Sequence, residues 1–312
     1  MSFYLVTGGA GFIGSNIVDE LVRRGEDVRI IDNLSTGCAE NLATVRGRIT
    51  LCEADIRDLE AIRPQFSGAD YVIHAAALPS VPRSIADPLI TNAVNIDGTL
   101  NVLVAARDAK VKRLVFAASS SAYGDDPTLP RVESQCPCPL SPYALTKLAG
   151  EHYCRIFHKV YGLETVALRY FNIFGPRQNP DSPYTGVLSL FIAAYLRGET
   201  PMIFGDGEQS RDFTFVENAV DATLRACTAS GAAGNVINVG AGERYTLNET
   251  IGLLNGILGR KVVPRYDAPR PGDVRHSHAD ISRASRVLGH QPKVSFEEGL
   301  RRTAKWYRFA LG

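Results

Sequence analysis

The stretch Thr7-Gly8-Gly9-Ala10-Gly11-Phe12-Ile13-Gly14 constrains this chain more than any other. It follows the apolar run Phe3-Tyr4-Leu5-Val6-Thr7, which reads as a strand. It opens a segment in which Ile17, Val18, Leu21 and Val22 share one helical face. Glycines at 8, 11 and 14 permit a tight turn, close approach of backbone to a pyrophosphate, and close helix–strand packing. The helix start offers N–H donors and partial positive charge to phosphate oxygens. A glycine pattern alone is weak, but here a strand precedes it, an amphipathic helix follows, and Asp32 ends the next strand-like run, DVRIID. A carboxylate there accepts from the adenosine ribose hydroxyls and repels a 2′-phosphate, which favours NAD over NADP.

The first half continues in alternation. The runs DVRIID, ITLCEAD, YVIHAA, RLVFAASS and ETVALRYFN are mostly separated by segments of helical period. Alternation of this kind predicts an α/β fold, a doubly wound parallel sheet with helices on both faces. After Asn172 the pattern loosens, with Pro176, Pro180, Pro183 and Pro201 breaking it up, and a smaller mixed α/β part is expected. The expected division is 1–171, with a returning segment near 213–240, for the dinucleotide domain, and 172–212 with 241–312 for a substrate domain.

A net charge of +1 and the lack of a Lys/Arg run argue against nucleic acid or an acidic membrane as partner. No apolar run approaches a membrane span, and no signal peptide is visible. The six cysteines are scattered and lack metal-ligand spacing, so free thiols, a cytoplasmic location and no metal are expected.

Three further places suit a cofactor site. Asp55-Ile56 follows the third run and suits adenine. His74-Ala75-Ala76-Ala77 follows the fourth, where small residues let the chain pass under a cofactor; His74 itself reads as a satisfied core histidine. In Ser141-Pro142-Tyr143-Ala144-Leu145-Thr146-Lys147, serine and proline are natural helix openers, and Tyr143 and Lys147 lie one turn apart. Free tyrosine, with a pKa of about 10, is a poor base at neutral pH. A nearby ammonium favours its phenolate.

Taken in order, TGGAGFIG, HAAA, NIDGT, SSSAYG, YALTK, RYFNIFGP and RPGD resemble the motifs of the extended short-chain dehydrogenase/reductase family, from residue 7 to residue 273. The resemblance implies a Rossmann-type domain that binds NAD. Its contacts would come from Gly8, Gly11, Phe12, Ile13, Gly14, Asp32, Asn33, Asp55, Ile56, Ala75, Ala76, Ala77, Asn95, Tyr143, Lys147 and Tyr170. It makes Tyr143 the acid–base and Lys147 its helper and a ligand of the nicotinamide ribose. The catalytic hydroxyl of such enzymes stands four residues before the Tyr of a Tyr-Gly pair; counting back from Tyr123 gives Ser119, with Ser120 as the alternative.

Dehydratases of the family carry an Asp-Glu pair after that hydroxyl, and decarboxylases commonly a Glu; here Ser120 and Ser121 stand there. The chain is most similar to nucleotide-sugar 4-epimerases of the UDP-galactose type, especially those taking N-acetylated sugars. The implied reaction oxidises the sugar at C4, turns the 4-keto sugar over and reduces its other face. Substrate contacts are implied for Ser80, Ser119, Ser120, Ser121, Tyr143, Asn172, Val187, Arg211, Arg270, Asp273 and Ser277. In these epimerases the position of Ser277 walls the pocket near the C2 substituent, and a small residue there admits an N-acetyl group. UDP-N-acetylglucosamine is therefore the expected substrate, with UDP-glucose beside it. UDP-glucuronate is the alternative that Arg83 keeps open. The family's dimers pair the helix around Asn92–Ala106 with the one starting at Tyr143, so a homodimer is expected.

Overall fold

Neighbouring apolar residues within each central run face opposite ways, and that alternation builds two cores. In the computed structural model, which describes residues 1–180, 186–269 and 274–310, the first-half strands are β1 (Phe3–Thr7), β2 (Asp27–Asp32), β3 (Thr50–Glu53), β4 (Tyr71–His74), β5 (Arg113–Ser119) and β6 (Glu164–Tyr170). Shorter strands follow: β7 (Ile173–Phe174), β8 (Met202–Phe204), β9 (Ser210–Arg211), β10 (Thr214–Phe215), β11 (Val236–Val239), β12 (Tyr245–Thr246) and β13 (Arg265–Asp267). Seven strands form one parallel sheet in the order β11-β6-β5-β4-β1-β2-β3. The remaining six make three small pairs, β7 with β10, β8 with β13 and β9 with β12. The sheet has the Rossmann order, and its direction of winding reverses between β1 and β4, where a crevice opens at the strand C-termini.

The helices are α1 (Phe12–Arg23), α2 (Leu59–Ile62), α3 (Val81–Ala86), α4 (Pro88–Asn92), α5 (Gly98–Asp108), α6 (Pro142–Tyr161), α7 (Val187–Arg197), α8 (Val216–Thr228), α9 (Leu247–Leu258) and α10 (Phe296–Ala310). Leu5, Ile31, Val72, Leu114 and Phe116 face a core closed by α5 and α6. Their neighbours Val6, Ile30, Ile73 and Val115 face a second core closed by α1 and α8, which continues into the C-terminal lobe. There Phe174, Phe213, Phe215 and Phe296 stack edge and face, fixing α10 under the short strands.

One sequence expectation is corrected. α4, a π turn at Ala93–Asp97 and α5 run on as a helix, Pro88–Asp108, long and apolar enough to cross a membrane. Asn92, Asn95, Asp97 and Asn101 interrupt the run and hide it from a simple scan. Its residues Val102, Leu103, Ala105 and Ala106 are buried against the sheet. Leu89 and Leu145, on the two helices expected to pair between subunits, are 83% and 54% exposed.

Candidate active site

The turn after β1 fits a pyrophosphate because it leaves no room for anything else. Gly8 sits at φ +71, and a Cβ there would stand 2.6 Å from the backbone nitrogen of Ala76. At Gly14 a Cβ would come within 2.0 Å of the Gly8 carbonyl oxygen. Gly11 is the N-cap of α1; no side chain caps this helix and no acid occupies its first turn, so its first N–H groups are uncommitted to a side-chain cap. Asp32, 7% exposed, anchors the turn: one oxygen accepts from Ala10 N at 2.9 Å, the other from Leu34 N at 2.8 Å. Each oxygen retains a lone pair for a ribose diol. Asn33 donates to Asp55 at 2.8 Å, and a hydrogen bond from Arg57 holds the Asp55 carboxyl down to about 2. These groups fit the pyrophosphate and adenosine of NAD. Gly8→Val should cost about 3 kcal/mol or more, through a strained φ and a clash with unyielding backbone. Denaturant unfolding and NAD titration check this, and NAD affinity is expected to fall with stability.

Two expected cofactor residues turn their side chains away. Ile56 is 5% exposed, and its side chain packs on Gly98 in the core closed by α5 and α6. Tyr170 faces the other core, with its hydroxyl 2.6 Å from that of Thr223. Asn95 spends its amide on the chain itself: it accepts from Leu78 N at 2.8 Å and donates to Thr146 Oγ1 at 3.1 Å. It thereby fixes the segment after β4, where Ala75 N donates to Thr7 O at 3.1 Å and Ala76 N to the Thr7 hydroxyl at 3.4 Å. Ala77 continues that segment toward Leu78.

His74 is fully buried, and its tautomer follows from its partners. The Thr99 hydroxyl donates to Asn95 O at 2.6 Å, so at 2.9 Å it can only accept from His74 Nε2. Nδ1 then accepts from Thr7 Oγ1 at 2.7 Å. Burial and the Lys147 charge pull this imidazole down to about 3, so it stays neutral and structural.

Tyr143 and Lys147 stand on the first turns of α6. Ser141 opens that helix by accepting from Ala144 N at 3.2 Å, Pro142 fills its first position, and Gly162 ends it at φ +72. Burial pushes the Tyr143 phenol above its ordinary value, and the adjacent Ser119 hydroxyl pulls it back. Lys147, 5% exposed, donates to the Ala117 carbonyl at 2.8 Å and lies 5.0 Å over the Phe116 ring. Burial lowers its ammonium to about 8, so it is still a cation at neutral pH. The Ser119 hydroxyl accepts from Ser121 Oγ at 2.8 Å and from Ser121 N at 3.2 Å, while Ser120 begins the turn Ser120–Tyr123.

Beyond β6 lies a cavity of about 320 Å³. Its walls include Val81, Asn172, Val187, Phe204, Arg211 and Phe213. Val81 and Pro82 begin α3, which packs on α6 and so joins the cavity to the helix of Tyr143 and Lys147. Ser80 is 5% exposed and caps α3, accepting from Arg83 N at 3.1 Å. Asn172, in the left-handed region at φ +39, donates to Asp212 O at 2.9 Å and to Ser277 Oγ at 3.4 Å. Arg211 Nη1 donates to the carbonyls of Ser210 and Arg275, both at 3.0 Å. Arg270 and Asp273 lie outside the described residues.

Residues 4–240 match the NAD dependent epimerase/dehydratase family. The chain belongs to that family. It is 40% identical over 309 residues to the UDP-glucose 4-epimerase of Mycolicibacterium smegmatis, covering 97% of this chain and 98% of that one. Among solved structures it resembles the UDP-N-acetylglucosamine 4-epimerase of Methanobrevibacter ruminantium M1, in complex with UDP-N-acetylmuramic acid, at TM-score 0.95 and 43% identity over 99% of both chains. It equally resembles the UDP-glucose 4-epimerase of Thermotoga maritima with UDP-glucose, at TM-score 0.95 and 40% identity over 99% of this chain and 100% of the other. NAD is thus the cofactor of this epimerase-family chain.

The structure brings out two buried acids that sequence reading passed over. Glu151, one turn beyond Lys147 on α6, forms a two-pronged buried ion pair with Arg169 of β6, at 2.9 and 2.7 Å. Arg169 also covers the Tyr123 ring at 4.4 Å, so α6, β6 and the serine turn are tied together. The acid's place one turn beyond Lys147 was the only trace in the sequence. The second residue is Asp212, next to Arg211.

Proposed function

We propose that this NAD-dependent UDP-sugar 4-epimerase acts on UDP-N-acetylglucosamine and its galacto epimer, and also accepts UDP-glucose. The observation that carries the choice of sugar is Ser277. It is a small side chain beside Asn172, with its hydroxyl 3.4 Å from the Asn172 amide nitrogen. At the position that walls the C2 substituent in resembling epimerases, it leaves room for an N-acetyl group.

Bound NAD supplies the acceptor and donor of hydride at sugar C4. Tyr143 Oη takes the proton from the C4 hydroxyl and later returns it. Burial by itself opposes the phenolate. The Ser119 hydroxyl and the Lys147 ammonium one turn away counter it. Above pH of about 8 Lys147 loses its charge in the buried site, so that help fades on the alkaline side. Arg211 at the cavity wall suits the diphosphate, because a guanidinium fork matches phosphate oxygens. The cavity is mostly apolar, with Phe204 and Phe213 suited to a flat base. Firm hold on the nucleotide, with looser hold on the sugar, lets the sugar turn over.

Ser277→Tyr tests the choice of sugar. It should lower kcat/KM for UDP-N-acetylglucosamine relative to UDP-glucose by about 10- to 200-fold, the range available from steric exclusion of a small group. An unchanged ratio would remove Ser277 from the specificity argument.

A further inference from the structure

Asp212 is a carboxylate with no solvent exposure, and among the described residues no cation forms an ion pair with it. Backbone takes the cation's place. One oxygen accepts from Ala241 N at 2.7 Å and the Thr214 hydroxyl at 3.4 Å. The other accepts from Gly242 N and Ala279 N, both at 3.1 Å. Gly240 makes room: a Cβ there would stand 2.9 Å from a carboxylate oxygen. The main chain of the same residue reaches two more segments. Its N–H donates to Ser277 O at 2.8 Å, and its carbonyl accepts from Asn172 Nδ2 at 2.9 Å.

Four stretches of chain therefore meet at one residue: the turn after β6, the β9–β10 segment, the loop after β11 and the strand-like stretch 277–279. Those stretches carry Asn172, Arg211 and Ser277. We propose that Asp212 is the positioning residue of the sugar-nucleotide pocket: its acceptor-only carboxylate clamps the 241–242 loop and the 277–279 stretch that carries Ser277 onto the segment that carries Arg211, while its main-chain carbonyl holds Asn172. The donor count supports this. Three N–H groups and a hydroxyl converge on two oxygens, a demand that a carboxylate meets and an amide cannot. Burial pushes the Asp212 carboxyl up to about 6, and the backbone donors with His278 pull against that, so at neutral pH it is ionised and fully accepting.

The inference rests on the UDP-sugar reading, and its test separates the two. Asp212→Asn keeps the shape but points an NH₂ at backbone donors. In the full-length chain with NAD, UDP affinity is expected to weaken about tenfold or more, since two charge-assisted hydrogen bonds are lost. KM for the UDP-sugar should rise in step, with kcat and NAD affinity little changed. Hydrogen exchange should quicken in peptides spanning 238–246 and 275–283. Unchanged UDP affinity would overturn the proposal, and so would loss of NAD and UDP together, which marks general support of the fold. If wild-type protein binds no UDP, the substrate reading fails. Exchange then decides the clamp alone: slow exchange retained at 241–242 and 279 overturns it, and faster exchange there upholds it. Should Asp212→Asn not fold, Gly240→Ala crowds the carboxylate, its Cβ standing 2.9 Å from an oxygen, and must still raise KM; an unchanged KM overturns the proposal.

Discussion

Tyr143→Phe should lower kcat by about a thousandfold while leaving NAD affinity and melting temperature almost unchanged, within the range that a positioned acid–base contributes. The variant deletes one oxygen and keeps the ring that fills the start of α6. The opening of α6 does not depend on that oxygen, since Ser141 and Pro142 start the helix and its buried face holds it. What is lost is the one group placed to take a proton beside Ser119 and one turn from a buried ammonium. Ser119→Ala removes the neighbour rather than the acid–base, so its loss should be smaller. Turnover within tenfold of wild type in Tyr143→Phe would place the acid–base elsewhere.

Glu151→Gln should destabilise the protein by about 3–5 kcal/mol, the cost of leaving a buried charge without its partner. Arg169 is 3% exposed and Glu151 2%, so water cannot replace the lost carboxylate. Arg169 would keep its place over Tyr123 and one hydrogen bond to the Gln carbonyl oxygen, and would face an NH₂ donor in place of the second acceptor. For a chain of this size each kcal/mol corresponds to about 2–4 °C in Tm. Urea unfolding followed by circular dichroism measures the loss directly. The double variant Glu151→Leu with Arg169→Met should recover most of it, because apolar residues of similar volume replace a buried pair at little cost. A loss under about 1 kcal/mol in the single variant would show that the pair is not deeply committed.

The parts of the candidate site that are legible in the sequence are those where chemistry demands a residue type in a local pattern. The Gly8–Gly14 turn is one, since side chains there would collide with backbone at 2.0 to 2.6 Å. Tyr143 and Lys147 are another, being one turn apart on a helix with a clear opening. Side-chain direction is less legible than identity. Ile56 and Tyr170 follow the expected strands, and their side chains turn into the two cores, which a motif match does not reveal. Glu151 and Asp212 were missed for a different reason. The partner of Glu151 is Arg169, on another element, and the partners of Asp212 are backbone N–H groups at 241, 242 and 279. Backbone donors leave no trace in a string of side chains. The apolar helix Pro88–Asp108 was also hidden, because four polar residues punctuate it.

NMR analysis of products from UDP-N-acetylglucosamine, UDP-glucose and UDP-glucuronate, each incubated separately with the purified protein and NAD, tests the central claim most directly. The expected result is a galacto-configured product from the first, a second such product from UDP-glucose, and no net NADH. No conversion of any of the three, or steady accumulation of NADH, would contradict the redox-neutral 4-epimerisation proposed for Tyr143, Lys147 and Ser119.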